Sequence, residues 1–149
     1  EVIDFAVRRS VEIKAKVVGT DERELKGRRE ILNFGHTIGH AIEASSDYRS
    51  YTHGEAVALG MIGAARIAER MGYFPSHLVE RLKSLLEAIG LPTWIEGVDE
   101  EKIWDALQLD KKVREDKLHF VLPRKIGEVF LTAEVSPNLI RKTLQDLTK

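Results

Sequence analysis

The chain has 149 residues, 43% of them hydrophobic, which is enough for one domain with a buried core. Lys plus Arg number 23 against 24 Asp plus Glu, for a formal charge of -1, so no positive excess points to nucleic acid. Cysteine is absent, which excludes disulfides, thiolate metal sites and cysteine nucleophiles; no apolar run reaches the ~20 residues of a membrane span, no signal peptide is visible, and cytoplasmic residence is the default.

The first element spans about Val2 to Val18. Ile3, Val7, Val11 and Val18 recur at helical spacing, with Lys14 near the C-terminal end. The chain opens without an initiator Met and already inside this pattern, so it reads as a fragment or an isolated domain. Gly19-Thr20-Asp21 ends the helix, and the charged run Asp21 to Arg28, which contains Glu24, forms a connector.

Arg29 to about Ser45 reads as one long helix, because Leu32, Gly35, Ile38, Gly39 and Ile42 keep helical spacing. Arg29, Asn33, His36 and His40 then fall in one stripe along its other side. A solvent-facing stripe more usually holds Glu and Lys; a guanidinium, an amide and two imidazoles suit a ligand or a metal. Ser46 to Thr52 has no periodicity and reads as a loop. Thr52 and Glu55 have capping-box spacing at the start of a helix from about His53 to Met71. Its small residues (Gly54, Ala56, Ala58, Gly60, Gly63, Ala64, Ala65) let other backbones come close, which places it at the centre of the bundle.

Beyond the break at Gly72 to Pro75, a helix from Pro75 or Ser76 to Ile89 ends in a glycine cap at Gly90, with Pro92 just after. Another covers about Glu100–Leu109, followed by Asp110-Lys111-Lys112. Leu118–Leu122 and Glu128–Thr132 are the only credible strands, joined through Pro123 to Gly127 as a hairpin. Ser136-Pro137 caps a last helix to about Leu147. The expected fold is mainly α: a helical bundle domain with one small β-hairpin near the C-terminus, as a single domain over residues 1–149.

His36 and His40 stand at i and i+4, a spacing at which two imidazoles can share a metal. Thr37-Ile38-Gly39 lies between them, so no Glu is placed as in a zinc protease. His53 is a further candidate ligand, and two His with one carboxylate leave zinc an open position. Arg29 and Asn33 suit an oxyanion or a hydroxylated ligand, against a surface ion pair of Arg29 with Glu24 or Glu30. Lys14, Lys111 and Lys112 are otherwise explained by a charged face. Glu43 either stabilises a neighbouring imidazolium or is exposed.

These residues carry a resemblance. Lys14-Ala15-Lys16-Val17-Val18, Asp21-Glu22-Arg23-Glu24, Leu32-Asn33-Phe34-Gly35-His36-Thr37-Ile38-Gly39-His40-Ala41-Ile42-Glu43, His53-Gly54-Glu55-Ala56-Val57-Ala58-Leu59-Gly60-Met61, Gly90-Leu91-Pro92 and Asp110-Lys111-Lys112 resemble the 3-dehydroquinate synthase family. So does Phe120-Val121-Leu122-Pro123 with Ile126-Gly127. The resemblance covers almost the whole chain, and its two histidine-bearing blocks are specific.

It implies a shikimate-pathway lyase of two domains, of which this chain is the helical C-terminal one. His36 and His53 would ligate zinc or cobalt. His40, Lys14 and Glu24 would be catalytic, and Lys14, Arg29, Asn33, His40 and Lys111 or Lys112 would contact substrate. NAD would be bound by an N-terminal domain absent from this chain, which offers no cofactor-binding residue of its own. Glu1-Val2-Ile3-Asp4 only superficially mimics the family's segment for the third ligand, a Glu: Asp4 replaces its lysine and Lys14 follows too soon.

The implied reaction converts 3-deoxy-D-arabino-heptulosonate 7-phosphate to 3-dehydroquinate and phosphate. It runs by transient oxidation, elimination, reduction and aldol closure. The implied partners are the sugar phosphate, the missing NAD domain and a second copy in a homodimer, and the chain alone is expected to be nearly inactive. Three alternatives stand beside this: another sugar-phosphate cyclase, the C-terminal domain of a glycerol or iron-type alcohol dehydrogenase, and a non-catalytic helical interaction module. The last would bind no metal and tolerate Ala at His36 and His53.

Overall fold

The computed structural model describes residues 1–20, 28–46, 50–113 and 117–149. It divides into two compact units, Glu1–Asn33 and Phe34–Lys149. In the first, α1 (Val2–Thr20) packs on a 3-10 helix, Arg28–Asn33. The expected periodicity does give a helix in α1, but none of its residues is buried, and Ile3, Val7 and Val11 are exposed.

The second unit carries the core. Its elements are α2 (His36–Ser45), α3 (His53–Arg70), α4 (Ser76–Ala88), α5 (Glu100–Val113), β1 (Phe120–Lys125), β2 (Glu128–Thr132) and α6 (Pro137–Leu147). α3 is central and packs against α2, α4, α6 and β1, while α5 packs on α2 and α6. Ile38, Ile42, Leu59, Ile62, Ile67, Ile103, Leu107, Phe120, Leu122, Ile140 and Leu144 are fully buried in one cluster. Each such side chain contributes about 1.5–3 kcal/mol by leaving water. The mostly helical bundle with one hairpin is as expected from sequence.

Local signals set most boundaries. The Ser136 hydroxyl accepts from the Leu139 N–H with Pro137 in the first turn. α4 closes through Gly90 at φ +80, where the Gly90 N–H donates to Glu87 O and the Leu91 N–H to Leu86 O. The C-terminal end is held across the unit: Ile95 N–H donates to Leu147 O and Lys149 N–H to Ile95 O.

The structure departs from three expectations. Residues 29–45 do not form one helix: a 3-10 turn ends at Asn33, Gly35 adopts φ +83, and α2 begins at His36. A left-handed residue interrupts the α-helical ladder, and glycine takes that conformation without steric cost. The single stripe of Arg29, Asn33, His36 and His40 therefore does not exist as a helix face. Asp110, Lys111 and Lys112 continue α5 rather than follow it. Finally, β1 extends through Pro123 to Lys125, with a register shift between those residues, and the connection shortens to Ile126-Gly127. A two-stranded ladder leaves one side of each strand unpaired, where a proline without an N–H is tolerated.

Candidate metal centre

Two helix starts build the site. At α3, the Thr52 hydroxyl accepts from the Glu55 N–H, while the Glu55 carboxylate accepts from the Thr52 N–H at 2.8 Å. This reciprocal cap fixes the chain at His53, the first residue of the helix. The two bonds from Thr52 also hold the Glu55 carboxyl below the ordinary glutamate range. At α2, the turn at Gly35 makes His36 the first helical residue, and His40 follows one turn later.

The two helices meet through glycine. A β-carbon at Gly60 would overlap the Gly35 carbonyl oxygen and lie 2.8 Å from Gly39 N; one at Gly39 would lie 3.1 Å from Ala56 O. Backbone contact this close brings the histidines of the two helices together. The ring centroids of His36 and His40 are 5.4 Å apart, those of His36 and His53 5.4 Å, and those of His40 and His53 5.8 Å. Three imidazoles thus form a near-equilateral triangle.

Glu43, also on α2, joins them. It is buried, and its Oε1 and Oε2 lie 3.2 and 3.1 Å from His53 Nδ1. Potential ligand atoms of His40, Glu43 and His53 all fall within 4.8 Å of one another. His36 Nδ1 lies 3.3 Å from Phe34 O. A carbonyl oxygen only accepts, so in that contact Nδ1 carries the proton and Nε2 keeps the lone pair. Imidazole and carboxylate donors without sulfur suit zinc and other divalent first-row transition metals.

The residues named from sequence divide between the two units. His36 is half-buried, and His40 and His53 are exposed; all three are in the second unit. Lys111 is there too, half-buried on α5, and Lys112 is in the same helix. Lys14 (exposed on α1), Arg29 (half-buried) and Asn33 (exposed) belong to the first unit. Glu24 lies outside the described residues. The contact of Glu43 with His53 is the feature that sequence left open. Its signal was the position of Glu43, three residues after His40 and seven after His36, hence on the same side of α2.

Fold and site together define a helical domain with a metal-capable histidine cluster built from the first two turns of α2 and the first residue of α3. Residues 1–113 match the family model for the 3-dehydroquinate synthase C-terminal domain. The chain is 51% identical over 148 residues to the 3-dehydroquinate synthase of Nostoc punctiforme, covering 99% of this chain and 40% of that protein. It is 46% identical over 141 residues to that of Caldanaerobacter subterraneus, covering 95% and 39%.

Among solved structures, it is similar to a 2-deoxy-scyllo-inosose synthase complexed with carbaglucose-6-phosphate, NAD+ and Co2+ (TM-score 0.80, 35% identity, 94% of this chain and 39% of that one). It is also similar to a 2-epi-5-epi-valiolone synthase from Streptomyces hygroscopicus with NAD+ and Zn2+ bound (TM-score 0.80, 25% identity, 94% and 38%). The chain belongs to the 3-dehydroquinate synthase family and corresponds to its C-terminal domain. It spans about two fifths of the length of the curated relatives it matches.

Proposed function

We propose that this chain is the metal- and substrate-binding part of an enzyme that converts 3-deoxy-D-arabino-heptulosonate 7-phosphate to 3-dehydroquinate and phosphate. The observation that carries the reading is the triangle of His36, His40 and His53 beside Glu43, built from the two sequence blocks most specific to the family. In this reading His36 and His53 hold zinc or cobalt. A bound divalent ion supplies Lewis-acid polarisation of substrate hydroxyl oxygens, and NAD, held mainly by residues outside this chain, supplies the transient oxidation.

The chain's own residues do the rest. His40 is exposed one turn from His36, so its imidazole can orient a hydroxyl and hold or return its proton. The family pattern assigns Lys14, Arg29, Asn33 and one of Lys111 or Lys112 to substrate, where ammonium and guanidinium groups suit carboxylate and phosphate. It assigns Glu24 to the catalytic set. Cytoplasmic location, a homodimer and docking to an NAD-binding domain belong to the same proposal; no described helix is long and apolar enough to cross a membrane.

A second reading, another sugar-phosphate cyclase, is favoured by the solved structures that resemble the chain. Identities of 43–51% to proteins named 3-dehydroquinate synthase, against 25–36% to the other synthases, favour the first. Fusing this chain to the N-terminal part of the Nostoc punctiforme relative tests both. Phosphate release from the heptulosonate phosphate, and none from glucose 6-phosphate, is expected; the reverse preference would overturn the proposal.

A further inference from the structure

We propose that Glu43 is a positioning residue for His53: it holds the proton on Nδ1, so that Nε2 keeps its lone pair for a metal ion. This rests on the reading of His53 as a ligand. Glu43 is the only ionisable side chain in the buried class among the described residues, at 8% exposure. The other buried residues of α2 are Ile38, Gly39, Ala41 and Ile42, all apolar or glycine. A carboxylate is costly to bury unless it is hydrogen-bonded, and here both oxygens face one imidazole nitrogen at 3.1 and 3.2 Å.

An ionised carboxylate only accepts, so the Nδ1–H of His53 donates to it. Nε2 lies on the opposite side of the ring and is left as the free ligand atom. Glu43 faces the Nδ1 side of the His53 ring, away from Nε2, and acts there through His53, although its carboxylate also lies within 4.8 Å of a donor atom of His40. His36 has the same polarity by another route, its Nδ1 being turned to the Phe34 carbonyl. Both imidazoles are thereby set in the tautomer that leaves Nε2 to the metal. Such outer partners orient the ring and raise ligand basicity.

The test uses the 149-residue chain with 15N-labelled histidine, free of metal and above neutral pH. Imidazole 1H–15N correlation spectra assign the His53 signal by its loss in His53→Ala. His53 is expected in the Nδ1–H form in the wild-type chain and shifted toward the Nε2–H form in Glu43→Ala. Glu43→Gln, whose amide oxygen can accept the same bond, is expected to retain Nδ1–H. An Nε2–H form in the wild-type chain, or an unchanged spectrum in folded Glu43→Ala, would overturn the proposal. Should Glu43→Ala fail to fold, the wild-type spectrum still decides.

Calorimetric titration with Zn2+ gives the second readout. Glu43→Ala is expected to weaken binding roughly 10–100-fold. A loss equal to that of His36→Ala with the His53 tautomer unmoved would make Glu43 a direct ligand and overturn the positioning role. Identical Zn2+ curves for the wild-type chain and His36→Ala would instead sink the metal reading underneath, a result separate from the tautomer.

Discussion

Gly60 on α3 lies so close to the carbonyl oxygen of Gly35 that no β-carbon fits between them. That oxygen also accepts the first hydrogen bond of α2, from the Gly39 N–H at 2.9 Å. The helix start that presents His36 is therefore seated directly on the α3 backbone. Neither backbone can yield without unpairing a buried polar group, so Gly60→Ala is expected to destabilise the chain by about 3 kcal/mol, the upper end of ordinary overpacking. Urea denaturation followed by circular dichroism measures it, and a loss below about 1 kcal/mol would show that the helices can separate freely.

His36→Ala and His53→Ala should each lower Zn2+ affinity by more than the roughly 10–100-fold typical of an outer-shell partner. His40→Ala, removing an exposed imidazole assigned to substrate, should leave affinity much closer to the wild-type value. Isothermal titration ranks the three. A larger loss for His40→Ala than for His36→Ala would reassign the ligands to His40, Glu43 and His53, whose donor atoms also converge.

The cap at Thr52 makes a prediction about acid. Glu55 accepts two bonds from Thr52, through its N–H and its hydroxyl, each at 2.8 Å, which depress the carboxyl below its ordinary value of 4.5. A depressed folded-state value adds stability that is complete above the unfolded-state value and lost as pH falls through the folded one. The stability difference between the wild-type chain and Glu55→Gln should therefore be constant near neutrality and shrink below the ordinary glutamate range. Thermal melts across that window measure it; a difference growing with acid would contradict the sign. Thr52→Ala removes the hydroxyl and should cost about 1 kcal/mol near neutrality.

The chain by itself should release little or no phosphate from the heptulosonate phosphate, even with NAD and Zn2+ supplied. In the proposed function, the redox cofactor and one ligand of the metal would come from residues outside these 149. A continuous phosphate assay on the purified chain checks this. Robust turnover would refute the division of labour on which the proposed function rests.

Sequence by itself determined the elements with strong local signals. Thr52 and Glu55 announced the start of α3, Gly90 the end of α4, and Ser136-Pro137 the start of α6, because capping is settled within a few residues. The small residues of α3 announced a central helix, and the two histidine-bearing blocks announced the family.

Tertiary structure decided what periodicity could not. Helical spacing carried the pattern from Arg29 straight through Gly35, since a repeat of apolar residues does not reveal a left-handed turn. That turn follows from the close seat of Gly35 on α3, a contact with residues more than twenty positions away. The same long-range contact brings His53 to His36 and His40, and it sets the buried Glu43 carboxylate against His53, ten residues on. A carboxylate reads alike in sequence whether it is solvated or buried; only the packing of α2 on α3 gave this one a partner.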